Sequence, residues 1–431
     1  MDALDAYHLE SGGVMTSFAN RLIEKVVALI HNKTFLDESR KEDRFFTRER
    51  TLGFVGVMTL CLNVLVRSLQ IEIGDFIERF KPCEKSYSKQ AFSQARAKIR
   101  PEAFRALFAM TVDEAFDNDA IGRRRGFRIF AIDGTTLRLP ESKDIWANFT
   151  TIGGSRLPHA RASFLYDVTN GYVVDARLAN TTIDERTMAL EHLEAVKSRL
   201  CKNDLILADR GYASKALIHY MQSTKIQYLF RLQASFSAEI DDSNESDFIW
   251  NMAFKRETIA VRIVKFALPS GEIETLITNL FDETLTASDF AEIYALRWGI
   301  ETRYNLFKNA LCIEEFSGKT TVTLEQDFYA RVFLMNIEAA IKVESDALIA
   351  ARDDGKNLKY DRKTNEKILV GILKRRFAAI VFEPDPAKRE ATIRRIIEEA
   401  SHSVTSIKPG RSFPRECRSH KRITAPPKRV L

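Results

Sequence analysis

The stretch TASDFAEIYALRWGIETRYNLFKNALCIEEFSGK, residues 286–319, carries four chemically unlike side chains at helical spacing: Tyr294, Arg297, Glu301 and Lys308. Their intervals of three, four and seven place them on one side of a 3.6-residue helix. Thr286 followed by Asp289 just before Phe290 reads as a capping box, so the helix is expected to begin there. Charges at helical spacing ordinarily form a solvated face with weak ion pairs. A row of phenol, guanidinium, carboxylate and ammonium has a second reading. The carboxylate can ligate a metal while the cations beside it hold phosphate, which makes the row one wall of a phosphoryl-transfer site.

Such a site needs further carboxylates, and two apolar runs upstream supply them. In FRIFAIDGTTLRLP, from Phe127, the run from Ile129 is apolar on both faces, so it reads as a central strand ending near Asp133 and Gly134. In DLILADRGYAS a second apolar strand, Asp204 to Ala208, ends at Asp209. Taken singly, Asp133 reads as an Asp-Gly turn residue and Asp209 as a turn or helix cap. Together with Glu301 they can converge on divalent cations. Hard oxygen donors with no His-x3-His or Cys pairing suit Mg2+ or Mn2+.

The pattern Y-x2-R-x3-E-x6-K, filled by Tyr294, Arg297, Glu301 and Lys308, resembles the signature of bacterial insertion-sequence transposases of the DDE class, in the IS-four family. AIDGTTLRLP and ADRGYAS resemble the segments that bear the family's first and second acids. The resemblance runs from about Ala91 to Lys319. It implies an α/β fold: a ribonuclease-H-like catalytic core with a β-rich insertion, flanked by helical N-terminal and C-terminal regions. It further implies Asp133, Asp209 and Glu301 as catalytic ligands of two Mg2+ (or Mn2+) ions, with Tyr294, Arg297, Lys308 and Arg210 on DNA phosphates. The expected partners are double-stranded DNA, with terminal inverted repeats and target DNA, and a second copy of the chain on paired ends. The expected location is the bacterial cytoplasm, on the nucleoid when DNA is bound.

Around this centre the texture of the chain changes several times. Residues 1–122 read as a helical, DNA-binding region, with Phe18, Leu22, Val26, Leu29 and Ile30 at helical spacing. Within it, SKQAFSQARAKIR carries Lys89, Arg96 and Lys98 around an apolar stripe. These read either as phosphate contacts or as a solvated face. Residues 123–232 begin at the basic run Arg123 to Arg125. They add strands at Arg161 to Val168 and Tyr172 to Leu178, joined by an Asn170-Gly171 turn, and a helix from Asp184 to Leu200. Residues 233–284 turn β-rich in ETIAVRIVKFAL and EIETLITNL, and contain Trp250, a candidate for stacking a flipped base or an ordinary core tryptophan. Residues 285–322 complete the core with the catalytic helix, in which Trp298 is expected to pack. Residues 323–400 read as a helical region open to dimerisation, and 401–431 as an extended basic tail.

Composition narrows the alternatives. Apolar content of 45% and charged content of 29% are those of a globular protein. The net charge of +6 lies mostly in the tail, where eight Lys and Arg face one Glu over residues 401–431, so basicity says little about the core. Five scattered cysteines without a C-x2-C pair fit neither a disulfide framework nor a zinc site. The start lacks a signal-peptide pattern, and the longest apolar run, Leu52 to Val66, is too short to span a bilayer and reads as a buried helix. The function expected is cut-and-paste DNA transposition. A hydrolytic nuclease or a catalytically silent DNA-binding relative on the same fold remain alternatives, whereas a sugar hydrolase leaves the cationic row without a role.

Overall fold

The computed structural model describes residues 17–48, 51–82, 86–117, 122–268 and 270–408. The tail expected to be extended lies outside them from residue 409 onward. Six helices come first: α1 (Phe18–His31), α2 (Lys33–Ser39), α3 (Phe54–Cys61), α4 (Leu69–Phe80), α5 (Lys89–Arg96) and α6 (Glu102–Phe116). Then follow β1 (Arg128–Arg138), α7 (Lys143–Asn148), β2 (His159–Asp167), β3 (Val173–Asn180), α8 (Glu185–Val196), β4 (Asp204–Ala208), α9 (Lys215–Ser223) and β5 (Gln227–Arg231). After α10 (Ala238–Asp242) come β6 (Asp247–Phe254), β7 (Glu257–Ala267) and β8 (Ile273–Thr278). The chain continues through α11 (Ala287–Ala295), α12 (Gly299–Asn305), α13 (Thr321–Asp353), β9 (Arg362–Thr364), α14 (Glu366–Phe382), α15 (Pro386–His402) and β10 (Val404–Ser406).

The first eight strands form one sheet in the order β3-β2-β1-β4-β5-β8-β7-β6. β2 runs antiparallel to both β1 and β3, whereas β4 and β5 continue from β1 in parallel. Those five strands, with helices packed around them, are the ribonuclease-H-like core. The β-rich stretch extends the same sheet, because β8 pairs antiparallel with β5 and carries β7 and β6 to the far edge. Leu205 to Ala208 and Ile129 to Ile132 are all fully buried, as central strands covered on both faces must be. A buried ion pair fixes their entry: Arg128 grips Asp204 with Nε and Nη2 at 3.2 and 2.8 Å, beneath the Phe116 and Phe130 rings.

Helix α13, 33 residues long, is the spine of the helical part. Its Asn336 exchanges two hydrogen bonds with the Val173 backbone, and Tyr329 donates to the Ala176 carbonyl. Both side chains close the β3 edge, which would otherwise offer unpaired backbone to other strands. The Leu52 to Val66 run contains α3 and is buried as expected, and among the described residues no helix is long and apolar enough to cross a membrane.

Two expectations change. β1 does not stop at Asp133 but runs on to Arg138, because β2 stays paired with it through Arg138 opposite His159. The single helix expected over the four-residue row is interrupted. A 3-10 turn at Leu296–Trp298 separates α11 from α12, and a π turn at Leu306–Ala310 follows. The capping box is present, with Thr286 and Asp289 bonded reciprocally.

Candidate active site

Strand pairing brings the first two acids together. The parallel β1–β4 register ends with Ile132 opposite Ala208, so Asp133 and Asp209 are the next residues of each strand. Here the chain order reverses across β1, between β2 and β4. The carboxyl end of a strand at such a switch point is where open α/β sheets place their ligands; Asp209 stands at that end of β4, and Asp133 beside it is mid-strand in β1. Asp133 is 21% exposed, and its Oδ1 accepts a hydrogen bond from the Gly134 N–H at 2.8 Å. Asp209 Oδ1 accepts from the Gly211 N–H at 2.8 Å, a turn that ends β4.

The third acid arrives with an arginine. Arg297 Nη1 lies 3.8 Å from Asp133 Oδ2, and its Nη2 lies 3.3 Å from Glu301 Oε1, so one guanidinium stands between two carboxylates from different elements. Its Nε is buried without a hydrogen-bond partner. Burial works against the Arg297 charge, but Tyr294, Asp133, Glu301 and Asp209 together raise its pKa. Burial likewise pushes the Asp133 carboxyl up to about 6. Gly134 and Arg297 oppose that rise, and the negative charges of Asp209 and Glu301 add to it. Asp133, Asp209 and Glu301 are therefore electrostatic neighbours around one cation.

The other row members are struts. Tyr294 is buried and its hydroxyl donates to the Ala208 carbonyl at 3.4 Å, at the end of β4. Tyr294, expected on a DNA phosphate, thus has its hydroxyl turned to the β4 backbone. Lys308, in the π turn, donates to the Thr136 carbonyl at 2.8 Å, and burial lowers its pKa. Its ammonium retains further donors.

Of the other predicted DNA contacts, Lys89 and Arg210 are exposed. Lys98 is half-buried over the Phe45 ring. Arg96 is a correction: it is 2% exposed, and its Nε and Nη2 bond Gln326 Oε1 at 2.6 Å and Asp327 Oδ1 at 2.9 Å. A guanidinium so enclosed joins α5 to α13 and is closed to phosphate. Trp250 is half-buried on the edge strand β6, where its Nε1 donates to Glu239 at 2.5 Å. Trp298, expected to pack, is 58% exposed, with the Arg297 guanidinium 5.5 Å from its ring centre. The 3-10 turn at Leu296–Trp298 carries it out of the core.

Sequence reading missed Tyr304, whose hydroxyl donates to the Asp133 carbonyl at 2.5 Å. Its position three residues after Glu301, on the same helical side, was the available signal. It also missed Arg303, which is buried and paired with Glu338 on α13 at 2.6 Å.

Carboxylate oxygens are the donors that hard divalent cations take; Asp133 and Glu301 flank the buried Arg297 guanidinium, and Asp209 follows the neighbouring strand. Among the described residues, no three or more His, Cys, Asp or Glu side chains are already gathered as a metal-binding group. Arg297 pairs with two of the three acids, Asp133 at 3.8 Å and Glu301 at 3.3 Å.

Comparison with known proteins supplies the class. Residues 124–337 match the family model described as the transposase DDE domain, a span that holds Asp133, Asp209 and Glu301. A cryo-EM structure of the piggyBac transposase synaptic complex with hairpin DNA is similar with a TM-score of 0.50 at 12% identity, covering 93% of this chain and 87% of that one. At such identity the likeness is one of fold. No curated protein sequence matches the chain. DDE transposases generally use divalent metal ions. By its matched transposase DDE domain, residues 124–337, the chain is a DNA transposase, an enzyme that cuts DNA and joins strands.

Proposed function

We propose that this transposase excises and inserts an insertion sequence by cut-and-paste chemistry, in the manner of the IS-four branch that its Tyr-Arg-Glu-Lys row resembles. The observation that supports the site assignment is that Arg297 stands between Asp133 and Glu301 where the β1–β4 pairing ends, with Asp209 the next residue after β4. In this reading Asp133, Asp209 and Glu301 are the residues that would hold two Mg2+ or Mn2+ ions. When bound, such ions acidify a water or 3′-hydroxyl and stabilise the leaving oxygen of an in-line displacement.

The residues of the chain prepare the site. Mutual repulsion and burial leave the Asp133 carboxylate in need of positive charge, which Arg297 shares out between Asp133 and Glu301. With a cation at the carboxylates, Arg297 would be free to give its charge to a DNA phosphate, and Lys308 would offer its remaining donors to phosphate as well. Exposed Lys89 and Arg210 add phosphate contacts. The helical region over 1–122 serves DNA-end binding, and 323–400 serves pairing of two copies, since two terminal inverted repeats must be joined.

The test is cleavage of a labelled duplex carrying the element's ends and flanks, with Mg2+ or with chelator. Nicking at the element boundary that needs the cation and vanishes in Asp133→Ala is expected. Random cutting would replace the reading with a hydrolytic nuclease. End binding without any cutting would replace it with a silent DNA-binding protein.

A further inference from the structure

Tyr304 occupies an unusual place in the sheet. Its hydroxyl accepts from the Phe164 N–H at 3.1 Å and donates to the Asp133 carbonyl at 2.5 Å. Asp133 and Phe164 are directly opposite each other in the β1–β2 register. A helix side chain thus bridges a donor and an acceptor that belong to facing strands, at the position of the first acid. The ring is buried and stacks on Phe164, with centroids 4.8 Å apart and planes 17° apart.

The same carbonyl has a second partner. Ser163 Oγ donates to it at 3.2 Å, and the buried His192 ring holds that serine from behind. The two ring nitrogens lie 2.8 Å from Ser163 Oγ and 2.7 Å from Asp175 Oδ2. The Asp133 carbonyl and the Gly134 N–H belong to one planar peptide unit. That N–H is the donor to Asp133 Oδ1. The peptide plane is therefore a pivot: two hydroxyls hold one end of it, and the other end aims the carboxylate.

We propose that Tyr304 is a positioning residue that ties the 133–134 peptide to the helix of Glu301, and thereby sets the Asp133 carboxylate against Glu301 for cation binding, with Ser163 and its His192–Asp175 support as the second tie. The proposal rests on the reading that Asp133 and Glu301 hold divalent ions. Tyr304 stands three residues after Glu301 on α12, so a single helical turn carries both the ligand and the clamp. Hydrogen-bond partners behind a ligand typically change metal affinity by about 10–100-fold.

The experiment is Mn2+ titration of the full chain, with free Mn2+ read by electron paramagnetic resonance, for the native protein, Tyr304→Phe, Tyr166→Phe and Asp133→Ala. Tyr166 is the control: it is buried and its hydroxyl takes a bond from Arg303 of the same helix at 3.2 Å, away from Asp133. Tyr304→Phe is expected to weaken Mn2+ binding about tenfold, while end-DNA binding and the Tyr166→Phe affinity stay at native values. Native Mn2+ affinity in Tyr304→Phe, or an equal loss in Tyr166→Phe, would overturn the clamp while leaving the acidic trio intact. Native Mn2+ binding by Asp133→Ala would overturn the trio and the clamp together. Should Tyr304→Phe fail to fold, Ser163→Ala carries the same test through the second hydroxyl, with native Mn2+ affinity again counting against the clamp.

Discussion

Asp133→Asn should make the cation-free protein more stable while abolishing cleavage. The carboxyl is raised from 3.8 to about 6, chiefly by burial, with repulsion from Asp209 and Glu301 outweighed in part by Gly134 and Arg297. An acid whose folded pKa exceeds its unfolded value binds its proton first in the folded state. Native stability therefore falls as pH rises from about 4 to about 6, and the handicap is fully present above that window. At ~1.4 kcal/mol for each pH unit, the ionised carboxylate costs about 3 kcal/mol. Asparagine removes that cost and keeps an oxygen for the Gly134 N–H, now 2.8 Å from Oδ1.

The assay is urea unfolding in chelator at about pH 8 and about pH 4, comparing Asp133→Asn with the native chain at each. Working in differences cancels Asp167, a second buried carboxyl pushed up to about 6. The variant should be more stable by up to about 3 kcal/mol at the higher pH and nearly equal at the lower. Adding Mg2+ at the higher pH should stabilise the native chain and leave the variant almost unchanged, since a ligand stabilises only the state that binds it. A variant less stable than native at high pH, or a difference independent of pH, would refute the picture of a strained carboxylate awaiting a cation.

Three further outcomes follow from named contacts. Glu301→Gln should bind element ends with native affinity and lose metal-dependent cleavage, read by gel shift and duplex nicking on the same preparation; cutting at the native rate would remove Glu301 from the site. Arg96→Ala should cost about 3–5 kcal/mol in urea unfolding because it leaves Asp327 buried and charged. Lys89→Ala, at an exposed position, should stay within about 0.5 kcal/mol of native, and equal effects would return Arg96 to the surface. Trp298→Ala should likewise change stability by less than about 0.5 kcal/mol, whereas a packed tryptophan would cost about 3–5 kcal/mol, a gap that thermal unfolding resolves readily.

What the sequence disclosed and what it hid divide along a physical line. Helical spacing recorded the row from Tyr294 to Lys308, and apolar runs located β1 and β4, because both report which face of an element is buried. They do not report what lies opposite. The continuation of β1 past Asp133 depends on β2, paired through Arg138 and His159, while Gly134, Thr135 and Thr136 carry little apolar alternation of their own. Arg96 read as surface charge because its partner, Asp327, lies 231 residues away. Helix α13 is the extreme case: Gln326, Asp327, Arg331, Asn336 and Glu338 would pass for a solvated stripe, yet all are buried. Each is spent on another part of the chain: Gln326 and Asp327 on α5, Arg331 on the Leu311 carbonyl after the π turn, Asn336 on the edge of the sheet, and Glu338 on Arg303 of α12. Polar side chains so enclosed are costly when any partner is removed. The helix that bears Glu301 is thereby held from its far side by the helical spine, and from its near side by Tyr304 against β1. An error in either hold reaches the same carboxylates, and of the two holds only Tyr304 had a local signal, whereas the Glu338 partner of Arg303 lies 35 residues along the chain.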